Sequence, residues 1–126
     1  NRLSKALVPK QVTINIDHHA SADRFGDYNL VEIDVSSTCE IIYKLIQRSG
    51  TTIGQERATA LYTGIMFDTG CFQYSNSTSQ VHRIVANLID QGIEVDKIYR
   101  DVYGNYPVRH CYKYYSWHRS CRIRLD

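Results

Sequence analysis

The chain has 126 residues, 43% hydrophobic and 22% charged, enough for one domain that buries roughly two-thirds of its unfolded surface and too apolar for a disordered tail, a collagen repeat or a bare coiled coil. No apolar run approaches the ~20 residues of a membrane span, and charge is uneven: residues 1–108 carry ten Lys/Arg against twelve Asp/Glu, whereas residues 109–126 carry five Lys/Arg against Asp126 alone. A mildly acidic body argues against a general nucleic-acid binder and confines the basic character to a short aromatic end piece.

The opening Asn1-Arg2-Leu3-Ser4 has neither an initiator Met nor the apolar stretch of a signal peptide, so residue 1 reads as the middle of a longer sequence. Cys39, Cys71, Cys111 and Cys121 follow no C-x-x-C pattern, which favours reduced thiols and a cytoplasmic protein with no membrane partner. Val12 to Ile16 alternates apolar and polar residues like a short strand and runs into Asp17-His18-His19. After Phe25-Gly26-Asp27, a second extended run from Asn29 to Val35 leads to Ser36-Ser37-Thr38-Cys39-Glu40, where Ser37 and Glu40 have the spacing of a reciprocal helix cap.

The helix that follows groups Ile41, Ile42, Leu45 and Ile46 and stops at Gly50; a second starts near Thr52 and carries Ala58, Leu61, Tyr62, Ile65 and Met66 to Asp68-Thr69-Gly70. Cys71 to Ser75 reads as a short extended piece. Ser77 and Gln80 open a third helix with Val81, Ile84, Val85, Leu88 and Ile89 inward and Gly92 beyond its end; Asp96 caps a fourth, to about Tyr103. Strands alternating with capped helices predict an α/β class with a mainly parallel sheet flanked by helices. The domain expectation is 1–108 as the body and 109–126 as a basic aromatic tail.

In an open α/β sheet, sites form beyond the carboxyl ends of the strands, and Asp17-His18-His19 falls at such an end. Successive side chains of extended chain point oppositely, so one imidazole is expected to face a metal and the other a different group, with Asp17 fixing a ring tautomer. Taken alone, the tripeptide reads more readily as a polar loop with surface histidines. Asp68 ends an apolar helix, where the macrodipole disfavours a carboxylate by ~0.3–1 kcal/mol unless a cation stands nearby; alone, it reads more readily as an exposed turn residue.

Ile16-Asp17-His18-His19, Asn29-Leu30-Val31 with Ser36-Ser37-Thr38-Cys39-Glu40, and the run from Gly64 to Asn76 that contains Asp68-Thr69-Gly70-Cys71-Phe72 together resemble the DHH phosphoesterase family. Within it they are most similar to the branch of bifunctional oligoribonucleases and PAP phosphatases. The likeness spans about residues 1–108, and three motifs in order are far more specific than any one. It implies two divalent ions, usually manganese (Mn2+) and alternatively Mg2+, that activate a water against phosphorus. It assigns His18 and Asp68 as ligands of one ion, His19 as the residue facing the substrate phosphate, and Asp17 as the group that orients the His pair.

The family's first metal motif and a bridging Asp have no counterpart here and would precede Asn1-Arg2-Leu3, and its Gly-Gly-x-His substrate-binding domain is also missing. The implied partners are short RNA or a PAP-type nucleotide (3′-phosphoadenosine-5′-phosphate), with homo-oligomerisation left open. These 126 residues alone are expected to be catalytically inert. The alternatives are a fragment of a RecJ-like single-strand exonuclease, separable by substrate length, and a non-catalytic interaction fragment, separable by its self-association. Residues 109–126 hold Cys111, His118 and Cys121, but their spacing fits no standard zinc site.

Overall fold

The computed structural model describes residues 12–104; the Asn1-Arg2-Leu3 segment, the expected boundary at 108 and the tail at 109–126 lie outside the described residues. The chain divides into two compact units, Asn1–Ile93 and Glu94–Asp126. In the first unit, strands β1 (Ile14–Asp17) and β2 (Tyr28–Val31) pair in parallel, with Ile14 opposite Tyr28 and Asp17 opposite Val31. They are followed by helices α1 (Thr38–Ser49), α2 (Gln55–Asp68) and α3 (Ser79–Ile89). The second unit contributes helix α4 (Val95–Tyr103). The class is α/β, with a small parallel sheet and four helices among the described residues.

β2 is shorter than the extended run its residues predict. Glu32 N–H still donates to Asp17 O at 3.1 Å, but β1 ends there because the chain turns away at His18, so residues beyond Glu32 have no strand to pair with. The connection through residues 18–27 contains no helix and is pinned by two amides facing each other across the strands. Asn15 Nδ2 donates to Asp23 O at 3.0 Å and to Asn29 Oδ1 at 3.3 Å, while Asn29 accepts from Gly26 N–H and donates back to Gly26 O. Gly26 presses so close that a Cβ there would stand 2.9 Å from Asn15 N. The buried face of β1 is therefore the polar one: Asn15 is buried while Ile14 is 64% exposed.

Ser37 caps α1 as its position predicts, accepting from Glu40 N–H at 3.1 Å, and Gly50 ends it in the left-handed region at φ 71°. The reciprocal half of the cap is displaced by one residue. Glu40 Oε2 accepts from Ser36 N–H and from the Ser36 hydroxyl, both at 2.8 Å, and Oε1 meets Lys44 Nζ at 2.9 Å. A buried carboxylate gains more from three donors, one of them charged, than from one backbone N–H. Leu45, grouped with Ile41, Ile42 and Ile46 by its spacing, is exposed.

α2 begins at Gln55 rather than near Thr52. Ser49 holds Thr51 in a side-chain turn, Gly54 is the capping residue, and the Gln55 amide reaches away to Gly92 O at 2.8 Å. Ile53 and Ala58, both buried, occupy the two positions of a hydrophobic staple across that start. Ala58, Leu61, Tyr62, Ile65 and Met66 are buried along α2. Ile41 of α1 and Val81, Ile84, Val85 and Leu88 of α3 supply the rest of the core, with α2 packed between α1 and α3.

Three other expectations are corrected by local hydrogen bonding. Cys71 to Ser75 is a coiled turn, because Cys71 N–H donates to Met66 O and both Gln73 and Tyr74 donate to Thr69 O. Thr78, not Ser77, caps α3 by accepting from Val81 N–H; Ser77 Oγ instead lies 3.2 Å from His82 Nε2. Asp96 does not cap α4 but pairs with Arg100 one turn on, at 2.7 Å, and Glu94 takes the cap position. Ile89, at the end of α3, is exposed rather than inward. No helix among the described residues is long and apolar enough to cross a membrane.

Candidate active site

β1 delivers Asp17-His18-His19 to its carboxyl end, and the end of α2 delivers Asp68 to the same place. His18 Nε2 stands 3.5 Å from Asp68 Oδ2, with His18 17% and Asp68 36% exposed. That separation is long for a hydrogen bond. It is close to the ~3 Å between two donors set at right angles on one hard cation with bonds of 2.0–2.3 Å. Among the described residues no group of three or more His, Cys, Asp or Glu is arranged to hold a metal ion.

Asp17 organises the turn that presents the histidines. Its Oδ1 accepts from His18 N–H at 2.7 Å and His19 N–H at 3.0 Å, and lies 2.7 Å from His19 Nδ1. A carboxylate only accepts, so the proton of the neutral His19 ring belongs on Nδ1 and its lone pair on Nε2. The His19 backbone N–H, then its ring, hold the Asp17 carboxyl below its ordinary value, against a small opposing effect of burial. His19 is 68% exposed and free to meet a ligand.

The two imidazoles do not point to opposite sides. Strand geometry ends at Asp17 and the turn brings the rings together, their centroids 4.2 Å apart and tilted by 48°. Alternation fails here because it applies only while the chain stays extended. The tautomer fixed by Asp17 is that of His19, while His18 faces Asp68.

The turn after Asp68 is tightly wound. Gly70, Cys71 and Phe72 are all left-handed, at φ 55°, 56° and 65°, and for the two non-glycine residues this is an uncommon conformation that costs energy. It is held by Thr69, whose buried hydroxyl donates to Ile65 O at 2.7 Å and accepts from Phe72 N–H at 3.1 Å. Asp68 is thus fixed at a helix end that cannot run on. Cys39, beneath it on α1, has its thiol pKa raised by burial and then by the negative charge of Asp68, which suits an inert thiol rather than a nucleophile. Phe72 packs on Tyr62 and His82, with centroids 5.9 and 5.7 Å apart.

The DHH family, N-terminal domain, matches residues 1–65. The chain is 36% identical over 85 residues to the bifunctional oligoribonuclease and PAP phosphatase NrnA of Thermus thermophilus, a match covering 68% of this chain and 26% of that protein. With the protein of the same name from Bacillus subtilis it is 30% identical over 93 residues, covering 71% of this chain and 30% of that one. Its fold is similar to the crystal structure of an exopolyphosphatase-related protein from Bacteroides fragilis, with a TM-score of 0.70 and 38% identity over 75% of this chain and 28% of that one. The chain spans between a quarter and a third of the length of these relatives.

Proposed function

This chain belongs to the DHH family, and from that premise we propose that the full-length protein is a metal-dependent phosphoesterase that hydrolyses very short RNA, 3′-phosphoadenosine-5′-phosphate, or both. The observation that carries the reading is the meeting of His18 Nε2 and Asp68 Oδ2 at 3.5 Å, at the carboxyl end of β1. Two relatives whose names join oligoribonuclease and PAP phosphatase support the substrate class. Manganese or magnesium suits the pair, since an imidazole and a carboxylate without thiolates are the donors of hard or borderline ions. When bound, such an ion lowers the pKa of a coordinated water and offsets negative charge at phosphorus.

The residues of this chain have separate tasks in that reaction. His18 and Asp68 would hold the ion from two elements, so its place would depend on how the end of β1 and the end of α2 are set against each other. His19, oriented through Asp17, meets the substrate phosphate from the solvent side. The attacking oxygen forms the new P–O bond, the bond to the leaving ribose oxygen breaks, and that oxygen takes up a proton. The two donors among the described residues fall short of the roughly six that a hard divalent ion takes, and on that count these 126 residues alone are expected to be inert and to bind manganese no more tightly than about millimolar.

The test is an assay of the full-length protein on RNA of a few nucleotides and on PAP, with and without manganese. Turnover that requires the ion and disappears in both His18→Ala and Asp68→Ala is expected. Wild-type rates in both variants would remove the assignment, and a preference for long single strands would move it to a RecJ-like exonuclease.

A further inference from the structure

Asn76 ends the third of the sequence motifs and lies between α2 and α3. Its Nδ2 donates to Ser36 O at 3.1 Å and to Asp68 O at 3.2 Å. Both partners only accept, so the orientation of the amide is determined: reversed, Oδ1 would face two carbonyl oxygens. Oδ1 is itself buried with no protein partner among the described residues. The side chain therefore leaves one polar atom unsatisfied while both of its hydrogen bonds form a single bridge.

The two ends of the bridge differ in kind. Ser36 belongs to the buried corner in which its N–H and hydroxyl are held by Glu40, which is paired in turn with Lys44. Asp68 is the last residue of α2, and its carbonyl is one of those a helix end leaves without an intrahelical partner. The preceding carbonyls of Ile65, Met66 and Phe67 are taken by Thr69, Cys71 and Gly70 N–H, leaving Asp68 O to the Asn76 amide. A tilt of that last peptide would swing the carboxylate away from His18.

We propose that Asn76 is a positioning residue: by tying Asp68 O to the rigid Ser36 corner, it sets the Asp68 carboxylate against His18 and so sets the affinity of the pair for a divalent ion. This rests on the reading of His18 and Asp68 as ligands of one ion. Removing a partner that orients a metal ligand lowers metal affinity by about 10- to 100-fold, and that loss is expected of Asn76→Ala.

The experiment measures manganese alone, by calorimetric titration of the full-length protein below the melting temperature of every variant. Asn76→Ala and Asn76→Leu should both weaken binding by at least about tenfold; the Leu variant fills the volume, removes the donor together with the unpartnered Oδ1, and carries the test should the Ala variant fail to fold. Ile84→Val, a core change on α3, should lower Tm and leave the affinity unchanged. Wild-type affinity in a folded Asn76 variant, with Asp68→Ala impaired, overturns the positioning role and leaves the ligand assignment standing. A loss in Ile84→Val equal to that in the Asn76 variants also overturns it, since stability alone would then account for the effect. Wild-type affinity in Asp68→Ala would instead refute the reading on which the inference rests.

Discussion

Glu40 shows how one buried carboxylate can fix the corner on which the site depends. Burial pushes its carboxyl pKa up, but the Ser36 N–H, Lys44 and the Ser36 hydroxyl outweigh that effect and leave it below its ordinary value of 4.5. A carboxyl that binds its proton less tightly in the folded chain adds stability that is complete above the unfolded value and disappears as pH falls through the lower folded value. Glu40→Gln should therefore lower Tm at neutral pH and flatten the fall in Tm below about pH 4.5, which thermal melts across acid pH would check; an unchanged acid limb would show that Glu40 is not the group responsible. That a site lies at His18 is legible in the sequence, because it follows the carboxyl end of a strand, where an α/β sheet puts its chemistry; that Asp68, at the end of a helix, shares it follows only from the resemblance of the three ordered motifs to the DHH family. The work of Glu40 and Asn76 is not legible. Ser36 and Asn76 are forty positions apart, and nothing local in either residue says that they meet. The orientation of His19 was hidden for another reason: it depends on the chain leaving the strand at Asp17, a change that periodicity does not announce.

Elements with a strong period or a side-chain cap are well read from sequence, and those set by a neighbour are not. The apolar row of α2, that of α3 as far as Leu88, and the cap at Ser37 appear as expected because each is decided within a dozen residues. β2 stops early because β1 does, and the Cys71 turn replaces an extended piece because Thr69 gathers the N–H groups that follow it. Helix contact is governed by a small residue in the same way. A Cβ placed on Gly64 of α2 would stand 2.2 Å from Cys39 Sγ and 3.2 Å from Cys39 Cβ on α1. Gly64→Ala gains up to about 1 kcal/mol in helix propensity but forces the two helices apart, a strain of about 1–3 kcal/mol. A net loss of stability is expected, recovered when Cys39→Ala is added. Denaturant unfolding of the single and double variants decides the matter; a single variant as stable as wild type would mean that the helices have slack at this contact.

At the scale of the whole molecule, the sheet has an unusual surface for its type. Parallel strands are ordinarily covered on both faces, yet Ile14 and Tyr28, partners in register, are 64% and 66% exposed, and Val12 and Ile33 are also open. The 126-residue chain by itself should therefore self-associate at micromolar concentration, seen as a mass above the monomer by light scattering, and Ile14→Lys should shift it toward monomer. A monodisperse monomer would show that this face is covered within the chain. The more consequential matter is whether the end of β1 and the end of α2 hold an ion between them. Crystals of the full-length protein soaked in manganese and measured at the manganese absorption edge test this directly. The anomalous peak is expected in contact with both His18 Nε2 and an Asp68 carboxylate oxygen, with His19 held by Asp17 beside it. A peak that touches neither residue, with His18 and Asp68 contacting only each other, would contradict the metal-site assignment.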